Sequence, residues 1–560
     1  MNAGPAIREY PERMNNLFNL ARNGISVAQA AIRVTGDNLT NGMSANYSRR
    51  SLIIGELGGM STAQGFFGYG ARANGVERAY DAFANTQLRD SLSSYASFTG
   101  RMEQLADIDN MLADEADNVS VSLGKLFKDM ATLSGDPADG PARAAVFTSL
   151  DVLANRYNAS AKRLSGLEKS TNSQIERSTK EINSFTEQLA QVNKQLERLQ
   201  GNGAPPADLL DQRDALLEGL SEHLGITVTE DYTSGRVSVT LSDGRPLVSE
   251  GTAYKLQTSP SDADPGKVIV SYVDANGKAS PLDENAITKG RLGGLFKFRN
   301  EDLTVARQDL DQIAFMMAHR MNEQNRAGFT PDGTAGDDLF SLPDIKAIAN
   351  AKNKGGDVLD QITVTSFKDV KSENYDISFD GRDWVITGAD GRNVTPDPAA
   401  PPGVLKFDGI EITLPAPSTA QAGDKFTLNP MAGAAEGISR KITSAQDFAA
   451  SDNDADGPGN NKNLEEMLKI QDEALIGNDT LSAAYASLAG KIGESAREVR
   501  SYATSAENDL RTKYDTKQAI SGVNMDEEYI NLDMFRHYYD GNAQLLKTAT
   551  AMFDALLAIR

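Results

Sequence analysis

The two ends of this chain carry the same kind of pattern, although most of its 560 residues lie between them. Residues 14–40 and 523–559 both place apolar side chains at steps of three, four and seven, the spacing of one helix face. The stripes consist of Phe18, Ala21, Ile25, Ala28, Ile32 and Leu39, and of Leu532, Phe535, Tyr539, Leu546, Ala549, Phe553 and Leu556. A lone helix of this length is marginal in water, so each stripe needs a partner. We therefore expect the ends to pair with each other, with copies of themselves, or both, as in an assembly protein.

The composition limits what the protein can bind. Acidic residues outnumber basic ones by 78 to 56, giving a net charge of −22, so we expect no nucleic-acid partner. Cysteine is absent, which excludes disulfides and thiolate chemistry. No run approaches the roughly 18 apolar residues of a membrane-spanning helix, so no membrane partner is expected. Residues 1–13 hold no apolar core of signal-peptide length and are interpreted as a tag or an upstream extension before Met14.

A long helix is predicted in the first half of the chain. From Ala161 to Leu199 the positions at alternating steps of three and four are mostly apolar, a heptad pattern that indicates a bundle or coiled coil. Gly and Pro in residues 201–206 end this helix, and a second helix from Ala207 to Leu224 completes an antiparallel hairpin. Arg213 lies in the apolar stripe of the second helix. Its guanidinium either reaches solvent at the helix edge or is held by carboxylates and backbone oxygens, and we favour a structural role.

Two blocks consist of strand-forming residues. Residues 225–285 and 360–430 contain short β-branched and aromatic runs separated by Asp-Gly and Asn-Gly turns. The Gly-rich residues 55–75 are expected to be irregular instead. Helix is expected again from about Leu295 to Asn325, and from about Leu464 to the C terminus with a break near Ser521 and Gly522.

The predicted fold class is multidomain α+β. We expect an elongated molecule whose helical bundle or coiled-coil base is formed by both termini and the inner helices, with inserted antiparallel β domains. The predicted domains are a terminal helical assembly domain (14–60 with 521–560), a helical rod domain (80–224 with 290–340 and 440–520), a small β region (225–289) and an antiparallel β domain (350–432).

No catalytic or cofactor site is predicted. No zinc motif includes any of the three histidines, His223, His319 and His537. One acidic segment resembles the start of a calcium loop, with carboxylates at Asp452, Asp454 and Asp456. An EF-hand loop needs a bidentate Glu at its twelfth position, where this chain has Asn463. We interpret the segment as a solvated acidic loop and keep its carboxylates only as a weak metal candidate.

Several motifs resemble those of flagellar rod, hook and hook-associated axial proteins. Asp37-Asn-Leu-Thr-Asn41 followed by Asn46-Tyr-Ser-Arg49 is similar to the N-terminal signature of that group, and residues 521–557 are similar to its C-terminal signature. The run Asp208-Leu-Leu-Asp-Gln-Arg-Asp214 narrows the resemblance to the hook-associated proteins of the hook–filament junction.

The resemblance implies a structural junction protein that is not an enzyme. Such a protein assembles as a ring between hook and filament through coiled-coil-like terminal helices. The resemblance also implies that these terminal helices are disordered in the monomer. The implied partners are copies of itself, the hook protein, a second junction protein (hook-associated protein 3) and an export chaperone at the C terminus. The implied location is the extracellular flagellum, reached through the flagellar type III export apparatus without a cleaved signal peptide. The expected assembly residues are Phe18, Ile25, Ile32, Leu39, Leu532, Phe535, Leu546, Phe553 and Leu556.

Three alternatives stay open. The chain could be a hook or rod axial protein, although the run at 208–214 argues against this. It could be a secreted enzyme carried on the filament axis, or a secreted calcium- or glycan-binding surface module. The glycan alternative points to residues 360–430, which contain the single tryptophan, Trp384.

Overall fold

The structure is a computed structural model that describes residues 6–44, 46–62, 65–114, 118–199 and 205–558. The chain forms two compact units. Unit 1 comprises Met1–Tyr95, Glu181–Lys255 and Ser505–Arg560, and unit 2 comprises Ala96–Lys180 and Leu256–Thr504. Within the described ranges, no helix combines the length and the apolarity that crossing a membrane requires.

The described residues form eleven α-helices. They are α1 Ala6–Asn41, α2 Ala82–Leu112, α3 Val119–Gly135, α4 Gly140–Leu199, α5 Ala207–His223, α6 Gly290–Lys297, α7 Leu303–Arg326, α8 Ala434–Gly437, α9 Lys462–Lys469, α10 Leu481–Ser521 and α11 Met525–Ala558. A π-helical turn, Phe298–Asp302, joins α6 to α7, and 3₁₀ turns occur at Glu284–Ala286, Ala445–Asp447 and Ile470–Asp472.

The expectation of continuous helix from about Leu464 to the break at Ser521 is wrong. The helix α9 ends at Lys469, and α10 begins only at Leu481. Gly477 adopts a φ of +61°, in the left-handed region where residues with a side chain are strained. Thr480 then begins the next helix, because its hydroxyl accepts a hydrogen bond from the Ala483 amide at 3.2 Å, as an N-cap residue does.

The Gly-rich stretch at 55–75 is also not irregular, because it contributes to two antiparallel hairpins. The first eight strands are β1 Arg50–Glu56, β2 Gly59–Thr62, β3 Gly65–Gly68, β4 Ala71–Arg78, β5 Thr227–Glu230, β6 Val237–Thr240, β7 Pro246–Ser249 and β8 Thr252–Ala253. The strand β1 pairs with β4, β2 pairs with β3, and β5 to β8 form a four-stranded antiparallel sheet in chain order. Glycine is depleted in strands because it has no side chain to pack, yet its backbone groups pair normally, as Gly59 does with Gly68.

The remaining strands form four antiparallel sheets. They are β9 Lys255–Pro260, β10 Val268–Val273, β11 Ala279–Pro281, β12 Phe340–Ser341, β13 Ile348–Ala349, β14 Ile362–Val364, β15 Tyr375–Phe379, β16 Trp384–Thr387, β17 Asn393–Val394, β18 Val404–Phe407, β19 Ile410–Thr413, β20 Lys425–Leu428 and β21 Ser439–Arg440. Their orders are β11-β10-β9, β12-β21, β13-β20-β15-β16-β17 and β14-β19-β18. The predicted multidomain α+β class, with inserted antiparallel sheets, is confirmed.

Each unit has its own apolar core. In unit 2 the buried set combines helix and sheet residues such as Leu126, Tyr157, Phe315, Tyr375 and Leu488. In unit 1 the end of α4 contributes Leu189, Val192 and Leu196, α5 contributes Leu217 and Leu220, and the sheet contributes Val239 and Val248. Each such side chain contributes roughly 1.5–3 kcal/mol when fully buried, so both cores are substantial.

Candidate functional site

The two chain ends form one helix pair, because α1 packs against α11. Four of the residues that α1 buries are small and follow one another at steps of three and four: Ala21, Gly24, Ala28 and Ala31. The helix also buries Val27, Thr35 and Asn38. A Cβ on Gly24 would overlap the side-chain amide of Asn542 on α11, so glycine is what permits the close approach there. The pairing of the ends is therefore built on a seam of small side chains.

The larger side chains of the predicted stripes are not fully buried by this pairing. Half-buried positions are Ile25, Ile32, Leu39, Leu532, Phe535 and Leu546. Phe18 is 45% exposed and Phe553 is 52% exposed. The Leu556 side chain lies outside the part of the chain that the structure describes. One α1–α11 pair thus leaves much of the predicted assembly stripe uncovered.

A second apolar stripe on α11 was missed by the sequence reasoning. Ile530, Met534 and Tyr538 are spaced by four residues, and they are 69%, 51% and 45% exposed. The spacing itself could have revealed them, but the stripe through Leu532 and Phe535 was stronger. A helix that is apolar on two faces needs two partners, and contiguous exposed apolar side chains mark interaction surfaces.

Behind the helix pair, Asn38 connects three segments of unit 1. Its amide nitrogen donates to the Arg50 carbonyl oxygen at 2.8 Å and to the Glu528 carboxylate at 3.1 Å. Its amide oxygen accepts from the Arg50 backbone N–H at 3.0 Å and from the Tyr47 hydroxyl at 2.8 Å. Every hydrogen-bonding direction of this buried amide is used, so it fixes the end of α1 against β1 and against the start of α11.

The Asp-Leu-Leu-Asp-Gln-Arg-Asp run forms an ion-pair network with the β1–β4 hairpin. Asp211 lies 3.4 Å from Arg50 and 2.8 Å from Arg78, and Asp214 lies 2.5 Å from Arg78. These side chains are mostly buried, so the pairs are screened little by solvent. The network attaches the hairpin that follows α1 to α5.

Arg213 is fully buried and holds α5 to the sheet that begins with β5. Its guanidinium donates to Asp214 at 2.7 and 2.9 Å, to Glu230 at 2.5 Å and to the Gly235 carbonyl oxygen at 2.6 Å. Burial lowers the pKa of Arg213, but the carboxylates of Asp214 and Glu230 outweigh burial, and the net shift is upward. The arginine is therefore held by carboxylates and a backbone oxygen and does not reach solvent.

Two tyrosines complete the network as hydrogen-bond donors. Burial raises the pKa of Tyr47 to about 12. Burial, with the nearby carboxylates of Asp214 and Glu230, also raises the pKa of Tyr80, whose hydroxyl donates to Glu230 at 2.8 Å. Both phenols stay protonated at neutral pH, so they position neighbouring groups. The motifs at 37–41, 46–49, 208–214 and 521–528, which are distant in sequence, belong to one polar network.

In the acidic loop after α8, asparagine amides donate to two of the three candidate carboxylates. Asp452 accepts a hydrogen bond from the Asn460 amide at 2.8 Å, and Asp456 accepts from Asn453 and Asn460 at 2.5 and 2.9 Å. Across the described ranges, no three His, Asp or Glu side chains form a group that could hold a metal ion, and these aspartates are included. The loop is held by its own asparagines.

Trp384 packs within its own domain. Its ring lies 5.3 Å from that of Phe379 and 5.7 Å from that of Phe426, in tilted arrangements, and it packs against the core of unit 2. Such ring pairs stabilise a core by about 0.5–1.5 kcal/mol each. The tryptophan therefore contributes to packing in the five-stranded sheet.

The chain ends form one helix pair, keep apolar surface uncovered and are joined by one buried network, an arrangement that fits a structural protein. The model of the flagellar hook-associated protein FlgK helical domain matches residues 105–340, and that of the flagellar hook-associated protein 1 D2-like domain matches residues 348–430. The chain belongs to the flagellar hook-associated protein 1 family.

The similarity to known proteins covers almost the whole chain. The chain is 35% identical to flagellar hook-associated protein 1 of Salmonella typhimurium over 557 residues, which cover 98% of this chain and all of that protein. Identity to the Bacillus subtilis protein of the same name is 22% over 566 residues, which cover 96% of each chain. The solved structure of the flagellar hook junction protein FlgK from Burkholderia pseudomallei superposes with a TM-score of 0.70 at 22% identity, covering 78% of this chain and all of that one.

Proposed function

We propose that this chain is a structural, non-catalytic junction subunit of the bacterial flagellum, which assembles with copies of itself as a ring between hook and filament. The observation that supports this most is the second apolar stripe of α11, since α1 leaves Ile530, Met534 and Tyr538 exposed. A neighbouring copy supplies the missing cover in this proposal, through contacts that resemble those of a coiled coil.

The terminal segments order when they assemble. Fixing a backbone residue costs about 1–2 kcal/mol, and the small side chains of the α1–α11 seam offer little apolar area in return. Contacts between copies add the burial of the larger side chains, which offsets that cost. Segments 14–60 and 521–560 therefore act as the assembly domain, and the rest of the chain folds first.

Family membership supports the remaining partners. They are the hook protein, a second junction protein (hook-associated protein 3) and an export chaperone that covers the C-terminal segment before assembly. The proposed route is the flagellar type III export apparatus, and the proposed location is the extracellular axis. Covering the apolar stripe of α11 until it meets a neighbouring copy would prevent premature association.

Limited proteolysis of the dilute monomer tests coupled ordering and assembly. We expect rapid loss of residues before about 60 and after about 520, with a resistant middle. Deleting residues 523–560 should then leave the middle folded but abolish incorporation into the flagellar axis. Terminal helices that resist protease in the dilute monomer, or a truncated chain that still joins the axis, would contradict the proposal.

A pair of matched variants tests the second stripe directly. Ile530→Asp with Met534→Asp should prevent self-association, measured by sedimentation, and reduce the amount of protein in purified flagella. Gln544→Asp is the control, because it also adds a charge to an exposed position of α11 but lies outside the stripe. If the stripe variant and the control are incorporated equally, the stripe is not part of the interface between copies.

A further inference from the structure

Unit 1 contains a cavity of about 230 Å³ between α2, the end of α5 and β5. Its polar lining residues are Thr86, Arg89, Asp90, Ser93, Ser221 and Thr227. The space far exceeds the roughly 10–15 Å³ that one water molecule needs. The cavity is distinct from the polar network of Asn38 and Arg213, which contains none of these side chains.

Arg89 is a buried arginine without a carboxylate partner. It is 7% exposed, and among the described residues its one hydrogen bond goes from Nη2 to the Thr86 hydroxyl at 3.0 Å. Arg213 and Arg299, which are also buried, have carboxylate partners, and buried Arg143 donates to carbonyl oxygens. A buried guanidinium needs acceptors for its remaining N–H groups, because leaving a buried charge unpaired is costly.

A second polar group lines the same cavity from the next turn of α2. Ser93 is 2% exposed, and within the described part of the chain its hydroxyl has no hydrogen-bond partner. Ser221 donates its hydroxyl hydrogen to the Leu217 carbonyl oxygen at 2.8 Å, which fixes its orientation. The Ser93 oxygen is itself closed to solvent, so the Arg89 guanidinium is the donor that faces the cavity and that needs acceptor oxygens from a bound group.

We propose that this cavity binds a small, singly charged oxyanion of the carboxylate class. A guanidinium presents paired N–H groups that match two carboxylate oxygens. Asp90 is exposed at the cavity, so its own negative charge disfavours a ligand with more than one charge. The bound anion connects α2 to the strand after α5, so it stabilises unit 1.

Thermal melting of the full chain in sodium acetate, compared with sodium chloride at equal ionic strength, tests the site. Acetate at ten times its dissociation constant should raise the melting temperature by about 3 °C and then saturate. Arg89→Gln should abolish the rise, and Arg89→Lys should reduce it. Arg236→Gln is the control, because Arg236 already lies 3.6 Å from Glu197 outside the cavity, so it should keep the full rise.

Two results would overturn the proposal. One is a wild-type chain with no saturable difference between acetate and chloride. The other is an acetate response that survives in Arg89→Gln. If Arg89→Gln does not fold, Arg89→Lys decides, since it keeps the charge but cannot present paired N–H groups to a carboxylate. A full acetate response in Arg89→Lys then refutes the site.

Discussion

Replacing Arg213 with alanine should destabilise unit 1 strongly. The substitution removes the donor to the Gly235 carbonyl oxygen and breaks the pairs with Asp214 and Glu230. Both carboxylates keep another partner, because Arg78 contacts Asp214 and the Tyr80 hydroxyl donates to Glu230. Breaking a buried ion pair costs about 3–5 kcal/mol, so these remaining partners place the loss near 3 kcal/mol. In a unit of this size that corresponds to a fall of roughly 6–12 °C in melting temperature.

Differential scanning calorimetry of the full chain measures this loss. Lys255→Ala is the control, because Lys255 forms an exposed ion pair with Glu187 in the same unit, and such a pair contributes about 0–1 kcal/mol. Arg213→Lys should be less stable than the wild type as well, since an ammonium group cannot reproduce the forked contacts. An unchanged melting temperature for Arg213→Ala, or an equal shift in the control, would refute the assigned role of this network.

Three further predictions concern the helix pair, the Asn38 network and unit 2. Gly24→Val should weaken the α1–α11 pairing, because the valine side chain overlaps Asn542, and proteolysis of α1 in the assembled protein should become faster. Adding Asn542→Ala to this variant should restore protection of α1. Asn38→Leu should lower the stability of the assembled protein by about 2–4 kcal/mol in chemical denaturation, because both backbone groups of Arg50 lose their partner. Asn41→Leu, at a partly exposed helix end, should not. Burial lowers the pKa of His319, packed between Phe315 and Phe367, to about 4. Its neutral form therefore stabilises unit 2 above about pH 6.5, and this contribution, at most about 3 kcal/mol, is lost as the pH falls towards 4. His319→Phe should lack that part of the acid sensitivity, and a wild-type profile in the variant would contradict this.

Much of the fold could be predicted from short-range patterns. The apolar spacing of residues 14–40 and 523–559 indicated the two terminal helices, and β-branched runs such as Lys267–Val273 and Tyr375–Phe379 indicated strands that the structure contains. These patterns depend on which side chains face one way along a helix or strand, a property of neighbouring residues. The same reasoning failed at 55–75, where antiparallel pairing between neighbouring strands overrides the low strand preference of glycine.

The sequence alone determined that the ends are amphipathic helices, that no disulfide holds the chain, and that Arg213 sits in an apolar stripe. Only the tertiary structure decided which face of α11 stays exposed, and that Asn38, Asp211 and Arg213 belong to one network. The physical reason is distance along the chain: Asn38 and Glu528 meet across 490 residues. Helix periodicity constrains neighbours a few positions apart, whereas such a contact is set by the packing of the whole unit.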